Sequence, residues 1–317
     1  MRRNRHLLAT YVPMLAALAA LIATPTLSSF AVGTLAAQAG LFTVLAAIPA
    51  RRTGKMSYVD IAWPWGLVVI GVQVPVYSAR FGSAAAAITV VYLAIGLRMG
   101  VPGLVHLARF RSLRFEFGRY RYQRIRWAAA GWPDERVPMQ LEILLQGLAN
   151  ASVLAVPAVL IASDRHRGLT TWQLAAVVAW AGCWSLEWLA DHQKRVFVAR
   201  GDRRATCEIG LWRYSRHPNY FFQWLGWVAL AAAATPALLH LADTVSAPRS
   251  IALALALLGG PAFMLWTLVH LTGIRPSEHY SLQKRPGYAA YRRTTNSFVP
   301  GPRRPREQAA LAQDGRA

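Results

Sequence analysis

Eight apolar windows constrain this chain more than any single motif does. They lie at approximately residues 7–23, 30–50, 57–78, 83–105, 139–161, 171–190, 219–240 and 250–272, each long enough, or nearly so, for the roughly 20 residues a helix needs to cross a bilayer. In hydrocarbon every backbone polar group must be satisfied internally, which leaves helices or closed barrels. Continuous apolar runs of this length, rather than alternating ones, select helices. The expected fold is all-α, a polytopic integral membrane helical bundle of about 7–8 transmembrane helices. Arg98 interrupts the fourth window and Glu187 the sixth.

The charges test that topology independently. Hydrophobic residues make up 55% of the chain and charged ones 15%, yet the formal net charge is +21, so nearly all charge is basic and its placement carries the information. Thirty of the 35 Lys and Arg fall in the N-terminus, the 51–56, 106–138 and 191–218 loops, and the segment after 272. The alternate loops hold only Arg80, Arg165, Arg167 and Arg249. Under the positive-inside rule this places both termini in the cytoplasm, and the expected location is a bacterial-type inner (plasma) membrane. Basic residues dealt over five segments argue against nucleic acid as a partner. They favour the anionic lipids of the inner leaflet, at about 1 kcal/mol per juxtamembrane Lys or Arg. The N-terminal MRRNRH and the apolar run after it also have the outline of a signal peptide, but no clean small-residue cleavage site follows.

Several chemistries are excluded by spacing. Cys183 and Cys207 form no CxxC, and the cytoplasmic placement of Cys207 argues against a disulfide. The eight histidines show no HxxxH, HxxHH or HExxH pattern, so no metal is expected. No GxGxxG or GxxxxGK[ST] loop is present, which removes a soluble nucleotide-binding fold.

Chemistry concentrates where GLWRYSRHPNYFFQWLGW, residues 210–227, joins a cationic and aromatic cluster to the start of an apolar helix. Arg213, Arg216 and His217 suit anionic oxygens, Pro218 fits a first helical turn, and Asn219 and Tyr220 add donors and acceptors. A plain membrane-surface anchor has the same residue types. Glu187, Asp191 and Arg195 stand four apart on one helix face with Lys194 beside them, as an ion-pair ladder or as a site whose carboxylates take ribose hydroxyls or a carboxamide. Asp60, after Tyr58, either caps the helix at the interface or polarises a carbonyl. Glu142 and Gln146 read as packing contacts, and Gln146 and Asn150 as hydrogen-bonding glue between helices. The segments Phe110–Pro138 and 273–302 are long enough to fold over the membrane face.

The segments LEWLADHQKRVF, GLWRYSRHPNYFFQWLGW, LTGIRPSE and RPGYAAYRRTTNSFVP, with SYVDIAWPWG, GLRM and RYRYQRIR upstream, resemble the bacterial, DUF1295-type branch of the steroid 5α-reductase superfamily. RHPNY alone is shared more widely, with sterol reductases, isoprenylcysteine carboxyl methyltransferases and phospholipid methyltransferases; the ordered set of segments is more specific. The resemblance spans residues 57–302, leaving 1–56 as N-terminal transmembrane helices and 303–317 as a polar tail expected to be disordered. It implies an intramembrane oxidoreductase that reduces an activated C=C bond of a lipid-soluble substrate, with NADPH across the cytoplasmic helix ends. It implies cofactor contacts from Asp191, Arg216 and Asn219, then Tyr288 and Tyr291; Lys194, Arg213, His217, Tyr220 and Gln223 complete the expected set.

Two features depart from the family pattern. The reductases continue NYxGE or NYxGD where this chain reads NYFFQW, so that Gln223 keeps hydrogen bonding and loses charge. The substrate-polarising glutamate and tyrosine do not align one to one, and Asp60 with Tyr58 stand in as candidates. An S-adenosylmethionine-dependent membrane methyltransferase and a lipid-binding scaffold that has lost activity are the competing readings.

Overall fold

The computed structural model describes residues 2–110, 116–166, 168–201 and 204–305. All regular structure among them is helical, with no strand. The helices are α1 (Arg2–Ile22), α2 (Pro25–Phe42), α3 (Ile48–Thr53), α4 (Val59–Tyr77), α5 (Ser83–Phe110), α6 (Gly118–Ala129), α7 (Arg136–Ala151), α8 (Val156–Ser163), α9 (Thr171–Ala199), α10 (Pro218–Ala242), α11 (Ala247–Trp266), α12 (Ile274–Lys284) and α13 (Tyr288–Thr294). Among the described residues six stretches are long and apolar enough to cross a membrane: Pro25–Thr53, Met56–Tyr77, Ser83–Arg109, Arg136–Ser163, Pro218–Ala242 and Ala247–Lys284. That makes this a multi-pass membrane protein with six of the eight expected spans in place. The apolar part of α1, Thr10–Ile22, is shorter. Helix α9, at 29 residues, is long enough to cross, but Gln173, Glu187 and four tryptophans lower the hydropathy of its apolar run. The tail from 306 onward, expected to be disordered, lies outside the described residues.

The chain divides into two compact units, residues 1–177 with 230–263, and 178–229 with 264 onward. In the first, α4 lies along α5 and packs against α2, α7 and α8. Close approach is possible because Gly66 faces the amides of Gln38 and Asn150, and Gly96 faces the backbone of Pro64, where a Cβ would collide. The amide N–H groups at that crossing find acceptors, while Asn150 Oδ1 is buried without a hydrogen bond. Gln38 Nε2 donates to Gly66 O at 2.8 Å, and Asn150 Nδ2 donates to Trp63 O at 3.0 Å. Asn150 therefore is helix glue, as its composition suggested, and Glu142 is a packing contact that accepts from Trp127 Nε1 at 2.8 Å and from Gln123. In the described part of the 110–138 segment, α6 folds back on the start of α4, burying Tyr120 and Trp127 among Met56, Val59 and Ile143. Glu116 fixes that return by accepting from the backbone N–H of Met56 and Ser57, both at 2.9 Å.

In the second unit the segment before α10 is clamped by α13 and the residues just beyond it. Trp212 Nε1 donates to Ala190 O at 2.9 Å and Leu211 N to Gln193 Oε1 at 3.0 Å, which docks the 3₁₀ turn Gly210–Arg213 on α9. Tyr291 Oη donates to Trp212 O at 2.5 Å, Arg216 N to Asn296 O at 2.9 Å and Gly301 N to Tyr214 O at 3.0 Å. Phe298 closes the strap with its ring edge-on to Phe221, centroids 5.6 Å apart.

Candidate functional site

These clamps leave a cavity of about 200 Å³ inside the second unit. Seven of the residues expected from the sequence line it: Lys194, Arg216, His217, Asn219, Tyr220, Tyr288 and Tyr291. They reach it from α9, the start of α10 and α13, so the fold gathers what the sequence scatters over about a hundred positions.

The polar groups in it have different degrees of freedom. Arg216 is almost consumed. Its Nε donates to Glu278 Oε1 at 2.7 Å, and its Nη1 donates to Arg292 O at 2.9 Å and to Thr295 O at 2.5 Å. With its side chain 9% exposed, it is a cross-link between the RHPNY loop and α13 as much as a cation offered to a ligand. His217 is buried, stacks on Tyr220 with ring centroids 5.4 Å apart, and sets Nε2 3.3 Å from Glu278 Oε1. Burial holds its pKa below the usual imidazole range, against the opposing pull of Glu278. A neutral ring facing a carboxylate must carry its proton on Nε2, since the carboxylate only accepts.

Lys194 and Asn219 are the groups with capacity to spare. The Lys194 ammonium sits 4.0 Å from the Trp212 ring centroid, and burial lowers its pKa to about 8. Asn219 Nδ2 donates to Asp191 Oδ1 at 3.0 Å, which fixes the amide, while its Oδ1 is buried without a hydrogen bond. A buried acceptor without a donor costs about 1–3 kcal/mol, so Asn219 Oδ1 has capacity to accept from a ligand donor. Burial pushes the Cys207 thiol up, which makes it a neutral lining group, and burial likewise keeps the Tyr288 and Tyr291 phenols protonated.

The other expected residues stand outside the lining. Asp191 acts through Asn219. Arg213 is exposed, and its carbonyl accepts from Arg303 Nε at 3.2 Å. Gln223 is half-buried on α10 and does not line the cavity. Asp60 and Tyr58 belong to the first unit, where Asp60 Oδ1 accepts from Tyr120 Oη at 2.5 Å and its Oδ2 lies 3.7 Å from Arg119 Nε. No side-chain cap is formed at the start of α4, so the capping alternative gives way to a carboxylate–phenol pair. The phenol is Tyr120, which sequence reasoning missed. It also missed Glu278, although the segment LTGIRPSE contains it; an acid three residues after an arginine on a short helix gives no sign that it will serve a different arginine 62 residues away. Arg285, Ser277, Ser281 and Thr206 complete the lining.

Residues 47–295 match a family described as "Protein of unknown function (DUF1295)". The chain belongs to the DUF1295 family. The match covers the cavity lining and the Asp60–Tyr120 pair of this DUF1295 protein, and ends before Asn296, Phe298 and Gly301 of the clamp. No curated protein and no solved structure matches the chain.

Proposed function

We propose that this protein is an NADPH-dependent reductase of an activated C=C bond in a lipid-soluble substrate, a member of the steroid 5α-reductase superfamily with both termini in the cytoplasm. The observation that carries the reading is Asn219, held by Asp191 at one end of its amide and left with a buried, unanswered acceptor at the other. A carboxamide N–H₂ is a matching donor. Around it lie two cationic side chains beyond Arg216, Lys194 and Arg285, with the hydroxyls of Thr206, Ser277 and Ser281, a donor set suited to phosphate and ribose oxygens. The residues fit one end of the cofactor. The cavity, about 200 Å³, is smaller than the roughly 300–1,000 Å³ of sites that enclose a whole drug-sized ligand.

When bound, reduced nicotinamide supplies the hydride. The protein's part is to orient that group through Asn219, to hold anionic oxygens with Lys194 and Arg285, and to keep Arg216 and His217 fixed through Glu278. At the substrate, the carbonyl conjugated to the C=C needs a hydrogen-bond donor as negative charge develops on it. The first unit offers a candidate donor of that kind in Asp60 with Tyr120, rather than with Tyr58, and burial together with the neighbouring Asp60 keeps the Tyr120 phenol protonated. A dry site strengthens that hydrogen bond and protects the hydride. The substrate enters from the bilayer, and no residue here specifies a sterol over another lipid enone.

The test is nucleotide binding by the detergent-solubilised protein, read as thermal stabilisation by NADPH, NADH and S-adenosylmethionine. A ligand at a hundred times its Kd adds about 2.7 kcal/mol. NADPH alone should stabilise, and Asn219→Ala, by weakening affinity about tenfold, should cut the effect to about half. Stabilisation by S-adenosylmethionine instead would make the protein a methyltransferase, and silence from all three would leave a lipid-binding scaffold. Gln223→Glu, which restores the family's acid, should raise turnover of a lipid enone.

A further inference from the structure

Asp164, His166 and His240 meet in the first unit from positions that no local motif would pair. Asp164 directly follows α8, His166 lies in the turn that leads to α9, and His240 occupies the last turn of α10. His166 Nδ1 is 2.9 Å from Asp164 Oδ1, and His240 Nδ1 is 3.0 Å from Asp164 Oδ2. The two imidazoles are tilted against each other at 31° with centroids 4.0 Å apart. One donor atom from each of the three residues falls within 4.8 Å of the other two.

We propose that Asp164, His166 and His240 form a binding site for a divalent transition metal, with Zn²⁺ as the occupant and water in the fourth position. The donor set decides the class. Two imidazoles and one carboxylate suit Zn²⁺ and its neighbours in the first transition row, whereas Ca²⁺ and Mg²⁺ require mostly oxygen ligands. Three protein ligands with one position open is also the arrangement of zinc sites that keep a water. In a tetrahedron with bonds of about 2.0–2.1 Å the donor atoms stand roughly 3.3 Å apart. The two imidazole nitrogens lie 2.9 and 3.0 Å from different oxygens of Asp164, so the carboxylate stands between them, and a metal would draw donor atoms now within 4.8 Å of one another onto that edge length.

The donors are preorganised by bonds that do not use the imidazoles. His166 N donates to Asp164 Oδ1 at 3.1 Å, orienting the carboxylate; Leu169 N donates to Ser83 Oγ at 2.9 Å; Ala79 N donates to Ala162 O at 2.9 Å. The Asp164 side chain is 7% exposed while the rings of His166 and His240 are 65% and 39% exposed, so the acid is sheltered and the nitrogens are reachable from solvent. Both contributing loops belong to the charge-poor set, the outer side under the positive-inside rule, so the site would take metal from outside the cell. Sequence spacing carries no sign of the site, because only Asp164 and His166 are neighbours and the third ligand is 74 residues further on.

The experiment uses the full chain in detergent, stripped with EDTA and titrated with ZnCl₂ against a chromogenic chelator. One Zn²⁺ per chain is expected. His166→Ala and His240→Ala should each weaken binding about tenfold or more, while His279→Ala, which changes an imidazole of α12, should leave it unchanged. Zinc-edge X-ray absorption of the wild type should show imidazole and oxygen neighbours at about 2.0–2.2 Å and no sulfur. That spectrum decides the matter even if a variant fails to fold. The site is disproved by absence of stoichiometric uptake, by uptake that both histidine variants retain, or by sulfur in the shell, which would move the metal to Cys183 or Cys207. None of these readouts depends on nucleotide binding or turnover.

Discussion

The Arg216 cluster of the second unit and the Asp60 cluster of the first are both charged groups next to the start of an apolar helix, yet they are completed in different ways. Asp60 has a phenol on one oxygen and a half-exposed guanidinium 3.7 Å from the other. Its Oδ2 is buried without a hydrogen bond. The Arg216 cluster is dry, and Glu278 answers both Arg216 and His217 while backbone carbonyls of 292 and 295 take the remaining charge. What is left over differs as well. In the pocket the saturated groups build the walls, and the half-saturated ones, Asn219 and Lys194, face the ligand space. The most cationic residue of a motif can thus be its mortar, with binding left to weaker neighbours.

The largest effect should come from breaking the mortar. Glu278→Ala strands a buried guanidinium, and removal of one partner from a buried pair costs about 3–5 kcal/mol. Thermal unfolding in detergent should show a fall of several degrees or more, with Glu278→Gln milder because it keeps an acceptor. Asp60→Asn should cost under about 1 kcal/mol, since the Arg119 side chain is 47% exposed and exposed pairs contribute little. Equal losses in the two variants would overturn the contrast between the clusters.

Next in size is a split between binding and stability. Asn219→Ala removes an acceptor that the folded protein leaves unanswered together with the hydrogen bond to Asp191, two effects of opposite sign, so the ligand-free melting temperature should move little. NADPH affinity should fall about tenfold, the equivalent of about 1.4 kcal/mol for one lost buried hydrogen bond. Asp60→Asn and Tyr120→Phe should do the reverse at the same stability, leaving NADPH affinity intact while turnover of a lipid enone drops. Isothermal binding beside a turnover assay separates the two, and a loss of NADPH binding in Tyr120→Phe would remove that pair from the substrate side.

Much of this was legible beforehand, and the reasons are physical. Hydropathy reports segment length, so six of eight spans appear where the windows predict them. The shortfall is at α1, whose apolar part is short, and at α9, where Gln173, Glu187 and the tryptophans lower the average along a helix with one narrow buried stripe, Gln173, Ala176, Trp180, Cys183 and Ala190. The site was legible where chemistry is dense in sequence, as at Arg216 to Tyr220. It was illegible where partners come from afar: Glu278 for Arg216, Tyr120 for Asp60 and His240 for Asp164 each cross 60 residues or more. Periodicity constrains faces of one helix and says nothing about which faces meet. The commitment of Arg216 to carbonyls could not be foreseen either, because backbone acceptors have no sequence signature.

The smallest expected effect sharpens the comparison most, because it separates the two half-saturated groups. Lys194 is held near pKa 8 by burial beside Trp212. Below that value the ammonium is charged and attracts an anionic oxygen; above it the amine is neutral and the attraction is lost. NADPH affinity should therefore weaken as pH rises from 7 to 9, by about 2.5-fold if binding restores half a pKa unit to the lysine. Arg285 remains charged across that interval and contributes no slope. Lys194→Arg should flatten the profile at the high-affinity end and Lys194→Met at the low-affinity end, measured by titration at fixed ionic strength. A flat profile in the wild type would mean that Arg285 alone meets the phosphate and that Lys194, like Arg216, is part of the wall.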